Sequence, residues 1–444
     1  MRMDPPSPSP PLCVLDKARH VRYWTRCLKT YLPHHYTGNE SNRMYLGFFI
    51  ISALDLLDSW TAVANEQQRN DYINWIYHCQ HPDGGFRMWP GTDVGELRNE
   101  SNAKWDPANV PATYFALCAL LAGGDTLRRV NRSKTLQWLQ KMQREGGSFG
   151  ETLVEGVVEG GMDPRFGYCA TGIRYILRGD TEGPLKIGDV MVDDIDIDGL
   201  VRCITLAESY DGGIADQPFH EPHAGYEFCA LGALNFVKRL QTPATARLDK
   251  TRHHGPTDPN MTIRWLVERQ TDLEEPEEEV DIDAVATNGP EVEATEAPQD
   301  TLHQEQDSVE PDPMAAELHQ SPDKSIPTTP FGPEPQEAGM NGRTNKVADT
   351  CYAWWAGASF YMMEQPHLFN HTALKRYLLG KTQHPALGGF GKFPGDLPDL
   401  YHSCLGLAAL GMIGVEGIKG VDPAMCISKT ASARIPEMWQ RWKD

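Results

Sequence analysis

The sequence predicts an all-α chain built from repeated helical hairpins, and three observations carry that reading. A Gly-Gly turn recurs as QHPDGGF (80–86), QREGGSF (143–149), SYDGGIA (209–215) and HPALGGF (384–390). Three of these turns precede runs rich in small and aromatic residues, ATYFALCALL, GYEFCALGAL and YHSCLGLAAL. Small side chains three and four residues apart let such helices approach closely. Alternating β-branched runs are nearly absent, so strand signals are sparse. An open superhelix and a closed ring satisfy this periodicity equally.

Along the chain, residues 1–15 open with MRMDPPSPSP, with prolines where a signal peptide would carry its apolar core. They read as a disordered Pro-rich tail. Hairpin units occupy 16–270. The first two glycine pairs are 62 residues apart and the next two 66, but Gly212 and Gly388 are separated by 176. Residues 271–340 account for the surplus. They hold 20 acidic residues, one basic residue (Lys324), ten prolines and no Tyr, Trp or Cys. Such a segment cannot bury enough apolar area to offset its ordering entropy, so it reads as a disordered acidic insertion. Removing it leaves room for two units, with a hidden turn joining Arg269-Gln270 to Asn341-Gly342. The last units fill 341–444.

The net charge of −20 sits almost wholly in that insertion; the other 374 residues carry 41 acidic and 40 basic side chains. No basic surplus is present to neutralise phosphates, which argues against nucleic-acid binding. Ten cysteines form no C-x-x-C pair, which excludes zinc-ribbon and thioredoxin readings and leaves reduced, buried thiols as the expectation. A reducing, cytoplasmic compartment follows. No run of 18 apolar residues exists, so no membrane span is expected.

Polar residues cluster in NGRTNKVADTCYAWW (341–355). Arg343, Lys346, Asp349 and Tyr352 recur every three residues, which would place them on one side of the start of a helix. Cations there suit an anionic ligand. Asp349 and Cys351 are residue types that zinc accepts, and His402 could be a third ligand. Each has a structural alternative: a cap for Asp349, a core thiol for Cys351, a hydrogen-bonded core imidazole for His402. His223, in FHEPHAGYEFC, could donate to a phosphate or simply end a loop. DDIDIDG (193–199) looks like a calcium loop, but its twelfth position is Thr205 rather than Glu. Asp198 is expected to cap the following helix.

These motifs resemble the β subunit of a protein prenyltransferase. The likeness rests on the glycine repeats, GRTNKVADTCYAWW, EPHAGYEFC and the late Tyr401-His402 pair. RHVRYWTRCL (19–28), FFIISALDLLDS (48–59) and VDPAMCISKTASARIPEMWQRWK (421–443) are most similar to the geranylgeranyltransferase type I branch. The resemblance implies an α–α barrel (toroid) of helical hairpins with a central apolar cavity, interrupted by the acidic insertion. It implies zinc held by Asp349, Cys351 and His402, and a diphosphate held by His223, Arg343, Lys346 and Tyr352. Lys392 stands where farnesyltransferases have an aspartate associated with magnesium, which implies that Mg2+ is not required. The isoprenoid would lie along Phe49, Tyr114, Arg165, Phe166, Tyr168, Tyr226, Cys229 and Trp355. Tyr45 and Leu405 would set the depth, and Tyr401 would adjoin the zinc histidine. Tyr45 is bulky where type I enzymes commonly have threonine, and Tyr401 stands where leucine is expected. The implied activity is transfer of geranylgeranyl from its diphosphate, via a zinc-bound thiolate, to the cysteine of C-terminal CaaX proteins (X usually Leu), such as Rho-family small GTPases. A prenyltransferase α subunit would complete a heterodimer. A farnesyltransferase β subunit is the alternative, and a non-enzymatic helical-repeat scaffold a remoter one.

Overall fold

Outer and inner helices alternate along the chain, each outer helix leading through a turn to its inner partner. A computed structural model describes residues 13–179, 183–240, 255–273 and 336–443. Residues 1–12 and 274–335, where the tail and most of the insertion were expected, lie outside the described residues. Six hairpins are present among those described. They pair α1 (Lys17–Lys29) with α2 (Arg43–Leu56), α3 (Glu66–His78) with α4 (Val110–Gly123), and α5 (Arg132–Lys141) with α6 (Pro164–Arg178). They continue with α7 (Ile197–Leu206) and α8 (Ala224–Arg239), α9 (Pro259–Val267) and α10 (Thr350–Met362), and α11 (His371–Arg376) and α12 (Leu400–Met412). A π turn (Tyr377–Thr382) extends α11, and α13 (Arg434–Lys443) ends the described chain.

Side-chain character sorts the two layers. Outer helix α1 buries one stripe, His20, Tyr23, Trp24 and Cys27, at the 3.6-residue period. Inner helix α4 is buried on nearly every side, as a helix flanked on all faces must be. Each inner helix contacts the next, α2–α4–α6–α8–α10–α12, and α12 contacts α2. That last contact selects the closed ring. Small residues permit the close approach: a Cβ on Gly172 would lie 2.4 Å from the Tyr114 ring, and one on Gly232 2.7 Å from Tyr168.

Consecutive hairpins are tied by a repeated device. At the end of five of the six outer helices, a side chain accepts a hydrogen bond from a backbone N–H at or just before the start of the next outer helix. Gln80 takes that of Asn131 at 2.7 Å, Gln143 that of Asp196 at 2.7 Å, Glu208 that of Thr257 at 3.0 Å, and Gln270 that of Asn370 at 2.7 Å. Gln383 takes that of Asp16 at 3.1 Å, joining the last hairpin to the first. The Gly-Gly turn lies flat on the same helix. Gly388 (φ +72°) would place a Cβ 2.5 Å from the Arg19 carbonyl, so only glycine fits.

Strands are confined to two-stranded antiparallel ladders: β1 (Thr152–Val154) with β2 (Val157–Glu159), β3 (Leu185–Ile187) with β4 (Val190–Val192), β5 (Gln270–Thr271) with β6 (Gly339–Met340), and β7 (Val421–Asp422) with β8 (Ile427–Ser428). The β5–β6 pair closes the fifth turn from segments 70 residues apart in sequence (Gln270 opposite Met340). Two expectations need correction. Asp196, not Asp198, caps α7, accepting from Gly199 N–H at 2.9 Å; Asp198 falls inside the first turn. Asp194, in the calcium-like stretch already set aside, is ion-paired with Arg174 and Arg178. Residues 341–349 are a loop and the helix starts only at Thr350, because the left-handed Asn345 (φ +60°) interrupts the three-residue spacing. No helix among the described residues is long and apolar enough to cross a membrane.

His20 locks the first hairpin to the last. Its Nδ1 accepts from Gly389 N–H at 3.1 Å, and its Nε2–H faces Gln383 Oε1 at 3.0 Å. Burial lowers its pKa from 6.5 to about 4, outweighing Gln383 and Asp16, which favour the cation. The unfolded chain therefore binds the proton first as pH falls. Stability should be full above pH 6.5 and drop as pH falls from there toward 4, by roughly 2 kcal/mol at pH 5. Thermal unfolding at pH 7 and pH 5 tests this; His20→Asn, which keeps an acceptor for Gly389, should shrink the difference.

Candidate metal centre and anion site

The N-termini of the inner helices gather on one rim of the ring. The first N–H of an inner helix bonds a carbonyl just beyond the next hairpin's turn: Met44 to Met88 O, Val110 to Glu151 O, Ala224 to Gly342 O and Thr350 to Lys392 O. Aligned helix N-termini make this rim electropositive. Short polar caps satisfy the exposed amides: Asn109, Asp163, His223, Asp349 and Asp399 each accept from the following turn.

Two of these caps build a metal site. Asp349 accepts from Cys351 N–H at 2.7 Å, and its Oδ1 lies 3.4 Å from His402 Nε2. Asp399 spends both oxygens on His402, one on its backbone N–H at 2.9 Å and one on Nδ1 at 2.5 Å. That fixes the proton on Nδ1 and turns Nε2 toward Asp349 and Cys351. Donor atoms of Asp349, Cys351 and His402 lie within 4.8 Å of one another, all buried or half-buried. A single ion with bonds of about 2.0–2.3 Å can reach all three after small side-chain adjustments. The donor set of carboxylate, thiol and imidazole, held by a second-layer aspartate, suits a divalent thiophilic ion.

Electrostatics agree with that role. Burial would raise the Asp349 carboxyl, but contact with His402 and the Cys351 amide outweigh it and hold the group below the usual range. Burial works against the His402 cation, yet the Asp349 and Asp399 contacts carry its pKa up to about 9. Burial, with Asp349 adding to it, raises the Cys351 thiol well above its normal value.

Beside the centre lies a candidate anion site. His223 Nδ1 accepts from Gly225 N–H at 3.0 Å, so in the neutral ring the proton sits on Nε2, 2.9 Å from Tyr352 OH. The Tyr352 hydroxyl is thus left able to donate outward. Burial, Arg343 and Arg165 keep the His223 pKa below 6.5 against Glu221 and Asp216. Arg343 is exposed and bridged to Glu221 at 3.0 Å. Lys346 is exposed on the same loop. Lys392 lies over the Phe393 ring at 4.5 Å and its charge is felt by Cys351.

Below the rim the ring encloses an apolar cavity of about 400 Å³. Tyr45, Phe49, Tyr114, Arg165, Phe166, Tyr168, Cys229, Trp355, Tyr401 and Leu405 all line it. Tyr226 is not among the lining residues; it stands at the mouth, 5.4 Å from the His223 ring and 5.7 Å from the Arg165 guanidinium. Phe48, Met88, Phe115, Phe228, Met425 and Cys426 also line the cavity, and nothing in their sequence context separates them from ordinary core. Asp399 is a further residue not foreseen. Its signal was available: an aspartate three residues before a histidine at a helix start. Tyr401 joins the two regions, accepting from Trp355 Nε1 at 3.0 Å while its hydroxyl meets the Cys351 sulfur.

A helical ring with a polar centre at the mouth of an apolar cavity defines a family. Residues 15–427 match the prenyltransferase alpha-alpha toroid domain, and the chain belongs to that family. Within it, the chain is similar to the geranylgeranyl transferase type-1 subunits beta of Arabidopsis thaliana (25% identical, covering 97% of this chain and 94% of the relative) and Dictyostelium discoideum (27%, 95% and 97%). It is also similar to the protein farnesyltransferase subunit beta of Schizosaccharomyces pombe (22%, 90% and 78%). Among solved structures it superposes on Candida albicans protein geranylgeranyltransferase-I complexed with GGPP, with a TM-score of 0.68, 25% identity, and coverage of 96% of this chain and 99% of that one.

Binding a metal must displace the protons of Cys351 and of His402, whose pKa is about 9. Affinity of the metal-free chain for zinc or cobalt should therefore rise from pH 7 toward pH 9, as chelator competition at several pH values will show. Asp399→Asn should weaken binding about 10- to 100-fold by releasing the His402 ring; an unchanged constant would deny Asp399 its orienting role.

Proposed function

We propose that this chain is the β subunit of a protein geranylgeranyltransferase type I, transferring geranylgeranyl from its diphosphate to the cysteine of CaaX-ending proteins. The observation that carries the reading is the convergence of Asp349, Cys351 and His402, from two inner helices, at the mouth of the aromatic cavity and beside His223 and Tyr352. Asp349, Cys351 and His402 would hold zinc. Bound there, zinc supplies a Lewis acid that lowers the pKa of the substrate's thiol so that it reacts as thiolate.

The chain's own residues do the rest. The cavity wall holds the isoprenoid and excludes water from its reactive end. As the sulfur–carbon bond forms and the carbon–oxygen bond breaks, charge collects on the departing diphosphate. Tyr352 donates to it, its hydroxyl oriented by His223 Nε2–H, while Arg343 and Lys346 supply positive charge in a setting already biased by helix N-termini. Lys392 supplies fixed positive charge in place of a second metal. The remaining partners are a prenyltransferase α subunit and CaaX-terminated small GTPases with X usually Leu. The reaction would run in the cytoplasm.

Co-expression with a candidate α subunit and labelled prenyl transfer to peptides ending in Leu, Met or Ser tests the whole reading. The 20-carbon diphosphate should outcompete the 15-carbon one. The reverse order would favour the farnesyl alternative, for which the bulk of Tyr45 at the cavity wall is the one structural argument. Turnover should need zinc and change little on magnesium titration; a strong millimolar rise would remove Lys392 from its assigned role. Cys351→Ala should abolish stoichiometric zinc and transfer together.

A further inference from the structure

Behind the loop that carries Arg343 and Lys346 lies a buried cation. Arg269 ends the outer helix of the fifth hairpin and is fully buried. Its guanidinium stacks on Trp265, 4.4 Å from the ring centroid, and its Nε donates to Trp265 O at 3.1 Å. Its Nη2 donates to Thr344 Oγ1 at 3.2 Å, reaching up into the loop between Arg343 and Lys346. The carbonyl of Arg269 accepts from Asn341 N–H at 2.8 Å, and Asn341 Nδ2 donates to Lys346 O at 2.9 Å. The loop is thus held at its start, middle and end from beneath. Asn345 turns the loop between these ties at a positive φ, a conformation asparagine tolerates.

The charge balance beneath the loop is unusual. Arg269 Nη1 has no hydrogen-bond partner, and its nearest carboxylate, Glu268, stands 3.8 Å away on the exposed side. Glu227 is the one acid buried in this region. Its Oε2 accepts from Ile214 N–H at 2.6 Å and its Oε1 has no partner. Burial raises Glu227 well above the carboxylate range. Burial lowers Arg269 as well, against Glu268 and Asp211, but a guanidinium keeps its charge in proteins. A buried cation in a low-dielectric setting projects its field further than an exposed one.

We infer that Arg269 is a positioning residue for diphosphate recognition, holding the Arg343–Lys346 loop through Thr344 and Asn341 and adding buried positive charge beneath it. The inference rests on the reading of this rim as a diphosphate site and extends it to a residue that cannot touch the ligand. A role limited to joining the two segments at the β5–β6 turn would instead affect every ligand alike.

The experiment measures dissociation constants of geranylgeranyl diphosphate and of uncharged geranylgeraniol for the full chain in complex with a prenyltransferase α subunit. Wild type, Arg269→Met, Arg269→Lys and Thr344→Val are compared, with thermal unfolding alongside. Arg269→Met and Thr344→Val should each weaken the diphosphate about tenfold, the loss of one charge-assisted contact, and the alcohol by less than about twofold. Arg269→Lys should recover part of the loss, since it keeps charge but not the fork. Thr344 is exposed, so Thr344→Val decides the matter if Arg269→Met fails to fold. Parallel weakening of both ligands, or an unchanged diphosphate constant, overturns the inference. A wild type that prefers neither ligand overturns the underlying reading of the site.

Discussion

A hydrogen bond repeated from hairpin to hairpin, side-chain oxygen to the N–H that opens the next outer helix, sets the register of everything else. Gln80, Gln143, Glu208, Gln270 and Gln383 perform it in turn, and Gln383 hands the chain back to Asp16 at its beginning. Each tie is an ordinary bond worth about 1 kcal/mol net. Its importance is geometric. With the glycine turn seated on the same helix, neighbouring hairpins are held in place, and α12 comes to lie against α2. Without closure there would be no enclosed cavity.

Closure also aligns the inner helices, so that their N-termini share one rim. A helix N-terminus needs a short polar cap, and the caps on this rim carry the chemistry. Asp349 caps α10 and faces His402 and Cys351 with an oxygen that could hold a metal; Asp399 caps α12 and turns the His402 ring; His223 caps α8 and points its Nε2 at Tyr352. Local folding and function thus use the same side chains. A capping aspartate is already desolvated and oriented by backbone amides, which is the state a metal ligand needs. The structural and functional readings of Asp349 were therefore never exclusive.

The cavity and the centre communicate through α10 and α12. Trp355 and Tyr401 line the cavity, and the hydroxyl of Tyr401 lies against Cys351, one residue from His402. The aromatic wall of the cavity thereby runs up to the Asp349, Cys351 and His402 cluster, while Tyr45 and Leu405 line the same cavity.

Local periodicity was enough to reveal hairpins, since glycine turns and runs of small residues are short-range signals. Composition alone marked off the acidic stretch, although its edges fell inside ordered structure at Thr271 and at Gly339–Met340. Residue type made Asp349, Cys351 and His402 candidate metal ligands, but only the resemblance to a prenyltransferase β subunit set them above a cap, a core thiol and a core imidazole. Their meeting was not legible, since it depends on α10 and α12 lying side by side. The same holds for Asp399 on His402, Glu221 on Arg343 and Arg269 under Thr344, pairs that span from 3 to 122 residues of sequence. Ring or superhelix, cap or ligand, wall or ordinary core: each was decided by long-range contacts, because a helical pattern specifies which face is buried and leaves open what it is buried against.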